Sequence, residues 1–253
     1  TISEFKDNRF SVILKARQLC ISTTVAAYVC WMMLFQRNKN VLIVATKLQT
    51  ATNLVKKVKA IHKHLPSWLK ISNIAIDNRT SFELSNGSQV KASSTSGDAG
   101  RSEALSLLVV DEAAFVEGMD ELWAGLYPTL STGGRCIALS TPNGVGNWFH
   151  KTYTEAEESK NDFYTIKLPW DVHPERNQEW FEKETRNMSR REIAQELECN
   201  FNASGETVIH GDDLTYFSEN ITDPERRTGF DRNYWIWEPP EDGCEYILVA
   251  DVA

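Results

Sequence analysis

The stretch "RFSVILKARQLCISTTVAAYVCWMMLF", residues 9–35, places an apolar run, a polar turn and a longer apolar run in succession. The first run is typical of a buried strand, and the last is typical of a buried helix. In such a unit, backbone N–H groups of the turn and the positive end of the helix dipole can bind phosphate. The turn at residues 15–24 therefore predicts a phosphate-binding loop.

The loop departs from the usual pattern G-x-x-x-x-G-K-[ST]. Cys20 stands in place of the last glycine and Ile21 in place of the lysine, whereas Ser22 fits the pattern. Glycine allows the backbone to approach a phosphate and to adopt positive φ. Another residue forced into that conformation costs about 1–3 kcal/mol. Cys20 therefore leaves three alternatives open: a tolerated natural variant of the loop, a deliberate change, or a disabled nucleotide site.

Further along the chain, apolar runs at 10–14, 41–46, 105–112 and 135–141 are typical of fully buried strands. Helical patterns at 22–36, 49–64 and 118–127 separate them. This alternation predicts an α/β fold of the P-loop NTPase type, with a mostly parallel sheet flanked by helices. Asn86-Gly87, between two alternating runs in 81–93, predicts a hairpin.

The character of the sequence changes after residue 150. Charged amphipathic helical patterns then predominate, with one strand pattern at 163–168. We therefore expect a core over residues 1–150, a smaller helical lid and linker subdomain over 151–237, and the linker and first strand of another domain over 238–253. Because the sequence stops in the strand-like run "YILVADVA", we expect a fragment of a longer protein.

Composition restricts the class of protein. The formal net charge of −8 does not indicate a surface that binds nucleic acid throughout. One predicted helix nevertheless concentrates Lys56, Lys57, Lys59, His62, Lys63 and His64, either as a solvated face or as a local DNA contact. Five cysteines without a C-x-x-C pair favour reduced thiols. The apolar run at 24–35 is too short to span a membrane.

Two acids follow the strand in "LSLLVVDEAAF", residues 105–115. They lie at the carboxyl end of a central strand, the edge where open α/β sheets bind ligands. One carboxylate there could hold the water shell of Mg²⁺, and its neighbour could orient and deprotonate an attacking water. The alternative is a strand end that happens to be acidic.

Two further segments add polar groups. "STPNG", residues 140–144, follows another buried strand and brings Ser140, Thr141 and Asn143 to the same edge. Short polar groups there suit a sensor for a terminal phosphate or an element that couples hydrolysis to motion. "SGDAGRS", residues 96–102, places Arg101 in a glycine-bearing loop, where a guanidinium could stabilise charge on a transferring phosphate. A Pro-Gly turn and a surface arginine are the structural alternatives.

In combination, "ARQLCISTT", "SEALSLLVVDEAAFV", "IALSTPNG" and "EIAQELECNFNASGETVI" resemble the large terminase subunit of tailed bacteriophages, the motor that packages DNA into heads. The resemblance covers nearly the whole chain and implies ATP and Mg²⁺ as cofactors. It implies nucleotide contacts from the phosphate loop and from the turn at residues 140–144, which matches the coupling motif of the family. These contacts are Ala16, Arg17, Gln18, Leu19, Cys20, Ile21, Ser22, Thr23, Ser140, Thr141 and Asn143.

Catalytic and metal-binding roles follow from the same resemblance. It implies Glu112 as the catalytic base, Arg17 as a phosphate contact in cis and Arg101 as an arginine that acts in cis or in trans. Ser22 and Asp111 are the implied Mg²⁺ ligands. Asp251, in a strand resembling the start of an RNase H-like nuclease domain, is an implied metal ligand. One such acid does not complete a two-metal site, so we expect no nuclease activity from this chain alone.

The resemblance also implies partners: double-stranded DNA, a portal protein, a small terminase subunit and further copies in a homo-oligomeric ring on the prohead. No membrane is implied, and the location is the host cell cytoplasm and transiently the portal. Two alternatives stay open, namely another DNA translocase or helicase ATPase, and a scaffold whose loop no longer binds nucleotide because of Cys20.

Overall fold

An eight-stranded sheet organises the first part of the chain in the computed structural model, which describes residues 2–95, 103–204, 220–232, 234–239 and 242–243. The strand order is β3-β4-β5-β2-β6-β7-β1-β8. The strands are β1 Phe10–Lys15, β2 Asn40–Ala45, β3 Ile74–Asp77, β4 Ser81–Leu84, β5 Gln89–Ser93, β6 Leu107–Asp111, β7 Arg135–Ser140 and β8 Phe163–Leu168. From β5 to β8 all neighbours are parallel, and β3–β4 and β4–β5 are antiparallel.

Helices cover both faces of this sheet. The α-helices of the described residues are α1 Ile2–Asp7, α2 Ile21–Phe35, α3 Leu48–His64, α4 Met119–Leu126, α5 Trp148–Glu157, α6 Gln178–Thr185, α7 Arg190–Ile193 and α8 Phe201–Ser204, with a π-helical turn at Ala194–Glu198 between the last two. Helices α1 to α5 supply the buried residues that pack on the sheet. The predicted α/β class, mostly parallel sheet and flanking helices are thereby confirmed. The hairpin is also confirmed, because Gly87 adopts φ 82° between β4 and β5.

Apolar side chains on alternate residues of each strand form two cores. Ile13 of β1 packs with α2 and α3 on one face, whereas Val12 and Leu14 pack with α4 and α5 on the other. This follows from the two-residue period of a strand. Since both faces are covered, the central strands read as continuous apolar runs rather than as an alternation.

Strand β8 belongs to this same sheet, where it pairs with β1 from Phe10 opposite Phe163 to Lys15 opposite Leu168. The sheet therefore extends beyond residue 150, the expected end of the core. The chain forms two compact units, Thr1–Gly211 and Asp212–Ala253. The second unit contains an antiparallel pair of short strands, β9 Arg226–Thr228 and β10 Tyr234–Ile236. The division into core and lid as functional domains stays a prediction.

The basic residues of α3 do not form one exposed face. Lys56, Lys57 and Lys63 are exposed. His62 is buried against the ring of Phe82, with the ring centres 5.3 Å apart, and Lys59 donates to Oδ1 of Asp77 at 2.6 Å. The helix is thus amphipathic, and only part of its basic cluster is available to a partner.

Leu108, at the centre of β6, is fully buried. We expect Leu108→Ala to lower the free energy of unfolding by about 2–5 kcal/mol, because the substitution leaves a cavity between sheet and helices. Urea denaturation measures the change. Val145→Ala, at a half-exposed position, is the control and should change stability by less than about 0.5 kcal/mol. Equal losses in the two variants would contradict the assignment of β6 to the core.

Candidate nucleotide site

The carboxyl ends of β1, β6 and β7 meet at one edge of the sheet, and β7 lies between the other two. The loop after β1, the acids after β6 and the polar turn after β7 are therefore neighbours. The loop and the acids are joined by a hydrogen bond, in which Ser22 Oγ donates to Oδ2 of Asp111 at 3.4 Å. Parallel pairing thus brings together groups that are 89 residues apart in sequence.

The loop between β1 and α2 holds two residues in the left-handed region. Gln18 has φ 59°, and Cys20, at the N-cap of α2, has φ 58° and ψ 15°. The Cys20 carbonyl accepts hydrogen bonds from the N–H groups of Thr23 at 2.9 Å and Thr24 at 3.0 Å. Cys20 therefore occupies a conformation that glycine adopts more readily.

Two backbone N–H groups at the start of the loop already have hydrogen-bond acceptors. The N–H of Ala16 donates to Leu168 O and that of Arg17 to Glu196 O, each at 2.7 Å. The first N–H groups of a helix have no acceptor within that helix. Those of Ile21 and Ser22 are consequently the donors that the start of α2 offers to an anion. The Ile21 side chain itself packs in the core.

Asp111, the last residue of β6, is buried. Burial raises the pKa of its carboxyl group, and the nearby Lys15 charge opposes this rise. Its Oδ1 accepts the N–H of Glu112 at 3.1 Å. A buried carboxylate beside a hydroxyl supplies the hard oxygen ligands that Mg²⁺ prefers.

Glu112 adopts φ 56°, so the chain turns sharply after β6. This conformation brings its side chain to the end of β2, where Oε2 accepts from Thr46 Oγ1 at 3.2 Å. The two adjacent acids thus have different surroundings, one buried beside the phosphate loop and one half-buried and held by a hydroxyl. Such a difference allows the two carboxylates to take different chemical roles.

The turn after β7 contacts the backbone that follows the acids. Ser140 Oγ accepts the N–H of Ala114, and Asn143 Nδ2 donates to Ala114 O, both at 3.2 Å. Thr141 is buried beside them. Gly144 N–H donates to the buried hydroxyl of Ser204 in α8 at 2.9 Å. A chain of hydrogen bonds therefore links the acid strand to the last described helix of the first unit.

The family model "Terminase large subunit, T4likevirus-type, N-terminal" matches residues 12–216. The chain belongs to this family.

The family match confirms the resemblance to large terminases. A probable terminase large subunit, gp28 of Escherichia phage Mu, is 29% identical over 109 residues, which cover 35% of this chain and 19% of that protein. The chain thus spans about a fifth of that relative's length.

Solved structures share the fold. The ATPase domain of the Thermus phage P74-26 large terminase matches with a TM-score of 0.62 and 20% identity over 77% of this chain and 89% of that one. The large terminase of another thermophilic bacteriophage, solved in complex with ADP, matches with a TM-score of 0.63 and 13% identity over 78% of this chain and 49% of that one. At these sequence identities, the structural similarity shows that this chain shares the fold of those proteins.

The Arg17 side chain of the terminase chain contacts the segment after β8. Its Nε pairs with Oε2 of Glu196, in the π-helical turn, at 2.6 Å. Leu19 packs against the core and Thr23 is exposed. A phosphate on the loop would have to compete with Glu196 for the guanidinium.

The remaining predicted residues, Arg101 and Asp251, lie outside the described residues. No group of three or more histidine, cysteine or acidic side chains arranged for a metal occurs within the described ranges. Among the described helices, none combines the length and apolar content that a membrane span requires.

Lys15 is a site residue that the sequence analysis missed. It is the last residue of β1, and burial lowers the pKa of its ammonium group against the opposing charges of Asp111 and Glu112. The sequence did contain a signal for it, because Lys15 is the one charged residue of a mostly apolar strand and stands directly before the loop. It supplies a cation beside the loop, although Ile21 replaces the lysine of the usual pattern.

Replacing Lys15 should destabilise the chain, because removing one partner of a buried charge cluster leaves the other uncompensated. In Lys15→Met the pKa of Asp111 should rise further. When the pKa of a carboxyl group is higher in the folded than in the unfolded state, the free energy of unfolding falls as the pH rises from the unfolded-state to the folded-state value. The loss of stability in Lys15→Met should therefore be larger at pH 7 than at pH 5, and urea denaturation at the two pH values measures it. A loss independent of pH would contradict the coupling, and Lys15→Arg is the charge-preserving control.

Cys20→Gly should stabilise the terminase chain by about 0.5–1 kcal/mol. A left-handed conformation costs a non-glycine residue about 1–2 kcal/mol, and the greater flexibility of glycine in the unfolded chain offsets part of the gain. Thermal denaturation tests this expectation. Thr23→Gly, in the first turn of α2, is the matched control and should be destabilising. A destabilised Cys20→Gly variant would show that the thiol contributes more than the strain costs.

Proposed function

We propose that this chain binds Mg²⁺-ATP at the carboxyl edge of its sheet, and that hydrolysis there powers translocation of viral double-stranded DNA into a prohead. The observation that carries this proposal is the contact of Ser22 with Asp111, which sets the phosphate loop beside the acid pair in a chain of the terminase large subunit family. The ADP complex of the thermophilic bacteriophage terminase supports a nucleotide at this fold.

Ser22 and Asp111 would hold the Mg²⁺. The ion would neutralise charge on the phosphates as the terminal phosphoryl group is transferred. Glu112, positioned by Thr46, would orient the attacking water and accept its proton. Lys15 would add a positive charge beside the acids, and the amides of Ile21 and Ser22 would bind phosphate oxygens.

Two arginines would complete the charge stabilisation. Arg17 would transfer part of its interaction from Glu196 to the phosphates, and Arg101 would contribute from the same or a neighbouring subunit. Ser140 and Asn143 would transmit the state of the acid strand through Ala114 and Ser204 towards the helices after β8.

The wider assembly is part of the proposal. The chain would act in a homo-oligomeric ring on the portal of the prohead, with the small terminase subunit, in the host cell cytoplasm. Residues around Asp251 would begin the nuclease domain that cleaves the genome. The family match favours packaging over the helicase or general translocase alternative.

Glu112→Gln separates binding from chemistry. We expect this variant to retain Mg²⁺-ATP affinity within about threefold and to lose at least about 100-fold in hydrolysis, since general-base catalysis contributes 10²–10⁴-fold. Isothermal titration measures the affinity, and phosphate release in the assembled motor measures hydrolysis. Glu117→Gln, an exposed acid five residues further on, is the control. Retained hydrolysis in Glu112→Gln would remove Glu112 from the catalytic role.

The scaffold alternative, which rests on Cys20, is tested with the wild-type chain and Cys20→Gly side by side. Comparable Mg²⁺-ATP affinities would show that "KARQLCISTT" is a working loop. Binding by the glycine variant alone would show a correct fold whose site is impaired by Cys20. Absence of binding by both folded chains would contradict the proposed nucleotide site in this chain.

A further inference from the structure

Two adjoining cavities lie away from the candidate nucleotide site. One measures about 600 Å³ and lies at the amino-terminal edge of the sheet, and the other measures about 260 Å³ and lies between α1 and α2. Lys6, Tyr28 and Trp31 line both of them. We propose that the two cavities, together the amino-edge groove, bind an acidic peptide segment of a protein partner that inserts one apolar side chain.

The larger cavity lies where three neighbouring strands begin. Its wall includes Lys39, just before β2, residues 104–106, just before β6, and residues 133–135, at the start of β7. These strands are adjacent and parallel, so their amino ends lie opposite the carboxyl ends that hold Asp111 and the phosphate loop. A partner in the groove would therefore leave the candidate nucleotide site accessible.

The larger cavity concentrates positive charge. Lys6, Lys39 and Arg135 are the charged side chains among its described lining residues, and none of the three forms an ion pair with a described carboxylate. Nη1 of Arg135 donates to the carbonyl groups of Phe5 at 3.2 Å and Asn8 at 2.8 Å, which holds the guanidinium in the wall. In a chain of formal net charge −8, this local excess of cations favours an anionic ligand.

The smaller cavity offers a site for an apolar anchor. Ile2 and Trp31 in its wall are 51% and 40% exposed. The ring of Trp31 is stacked on that of Tyr28, with ring centres 5.6 Å apart, and the Tyr28 hydroxyl donates to Phe5 O at 3.2 Å. The aromatic platform is thus held in place. Aromatic side chains of this kind are enriched at the anchor points of protein interfaces.

The combination of the two cavities favours a peptide over other anions. Lys6 and Trp31 line both cavities and are exposed, so the cavities open onto a common surface. Small-molecule sites, by contrast, enclose most of their ligand. A DNA duplex is convex and has no apolar side chain to insert between α1 and α2. A peptide supplies carboxylates for the cations and an anchor for the apolar cavity, which gives both charge and shape complementarity.

Fluorescence anisotropy with synthetic peptides tests the groove. The probe is a labelled octapeptide in which six acidic residues flank a central Leu-Trp pair. One control peptide has lysine at the acidic positions, and a second has Gly-Ser in place of Leu-Trp. We expect the wild-type chain to bind the acidic Leu-Trp peptide, and to bind each control peptide at least about tenfold more weakly.

Matched variants locate the binding. Lys6→Glu and Lys39→Glu each reverse a charge in the larger cavity, and Trp31→Ala removes the aromatic side chain common to both cavities. Each should weaken the acidic Leu-Trp peptide about tenfold. Lys57→Glu, on the exposed face of α3, and Trp68→Ala, at a tryptophan that is 75% exposed, should stay within about twofold of the wild type. Thermal denaturation verifies that every variant is folded.

Failure of the folded wild-type chain to bind the acidic Leu-Trp peptide would overturn the groove, as would equal affinity for the lysine peptide. Unchanged affinity in Lys6→Glu, Lys39→Glu and Trp31→Ala would also overturn it. A short DNA duplex and citrate serve as competing probes. If either one binds, is weakened by Lys39→Glu and displaces the peptide from a chain that is insensitive to Trp31→Ala, the site is a nucleic-acid or small-anion site and the peptide assignment is wrong.

Discussion

Parallel pairing of β7 between β6 and β1 is the constraint on which the rest of the site depends. It aligns the ends of three strands that are far apart in sequence, so that one edge of the sheet carries the phosphate loop, the acid pair and the polar turn. Because both faces of these strands are buried, a slip in register would move core side chains to the wrong face. The hydrophobic core therefore fixes the relative positions of Ser22 and Asp111.

Backbone conformations that are unfavourable for most residues concentrate at this edge. Gln18, Cys20 and Glu112 all have positive φ, and none of them is glycine. Each such position costs free energy that the surrounding structure has to offset. Buried strands precede them, β1 before the loop and β6 before Glu112, and help to hold the loop and the acid in these conformations. Three strained positions thus lie in or beside the candidate site.

The segment after β8 is joined to the loop by several independent contacts. The Ala16 amide donates to Leu168 at the end of β8 and the Arg17 amide to Glu196, the Arg17 side chain also pairs with Glu196, and Arg176 donates back to the loop. A change in the loop on phosphate binding would therefore alter contacts along residues 168–196. This arrangement provides a physical route by which events at the nucleotide could reach the helical part of the chain.

The sequence by itself determined the α/β class, the central strands with the helices between them, and the position of the acid pair at a strand end, because these follow from local periodicity and from turn residues such as Asn86-Gly87. The short, exposed strand β3 was not predicted. The sequence also indicated an irregular loop around Cys20, which the structure holds in the left-handed conformation. The same local signals predicted the hairpin and the boundaries of α2 and α3 within one residue.

Only the tertiary structure decided which side chains meet. Lys15 reads as the polar end of a strand, and its proximity to Asp111 and Glu112 depends on the pairing of three strands. Likewise, the partnership of Arg17 with Glu196, the burial of His62 and the larger cavity beside Trp31 join residues from distant segments. Local periodicity specifies each element, whereas such contacts arise from packing the elements together, which no short stretch of sequence encodes.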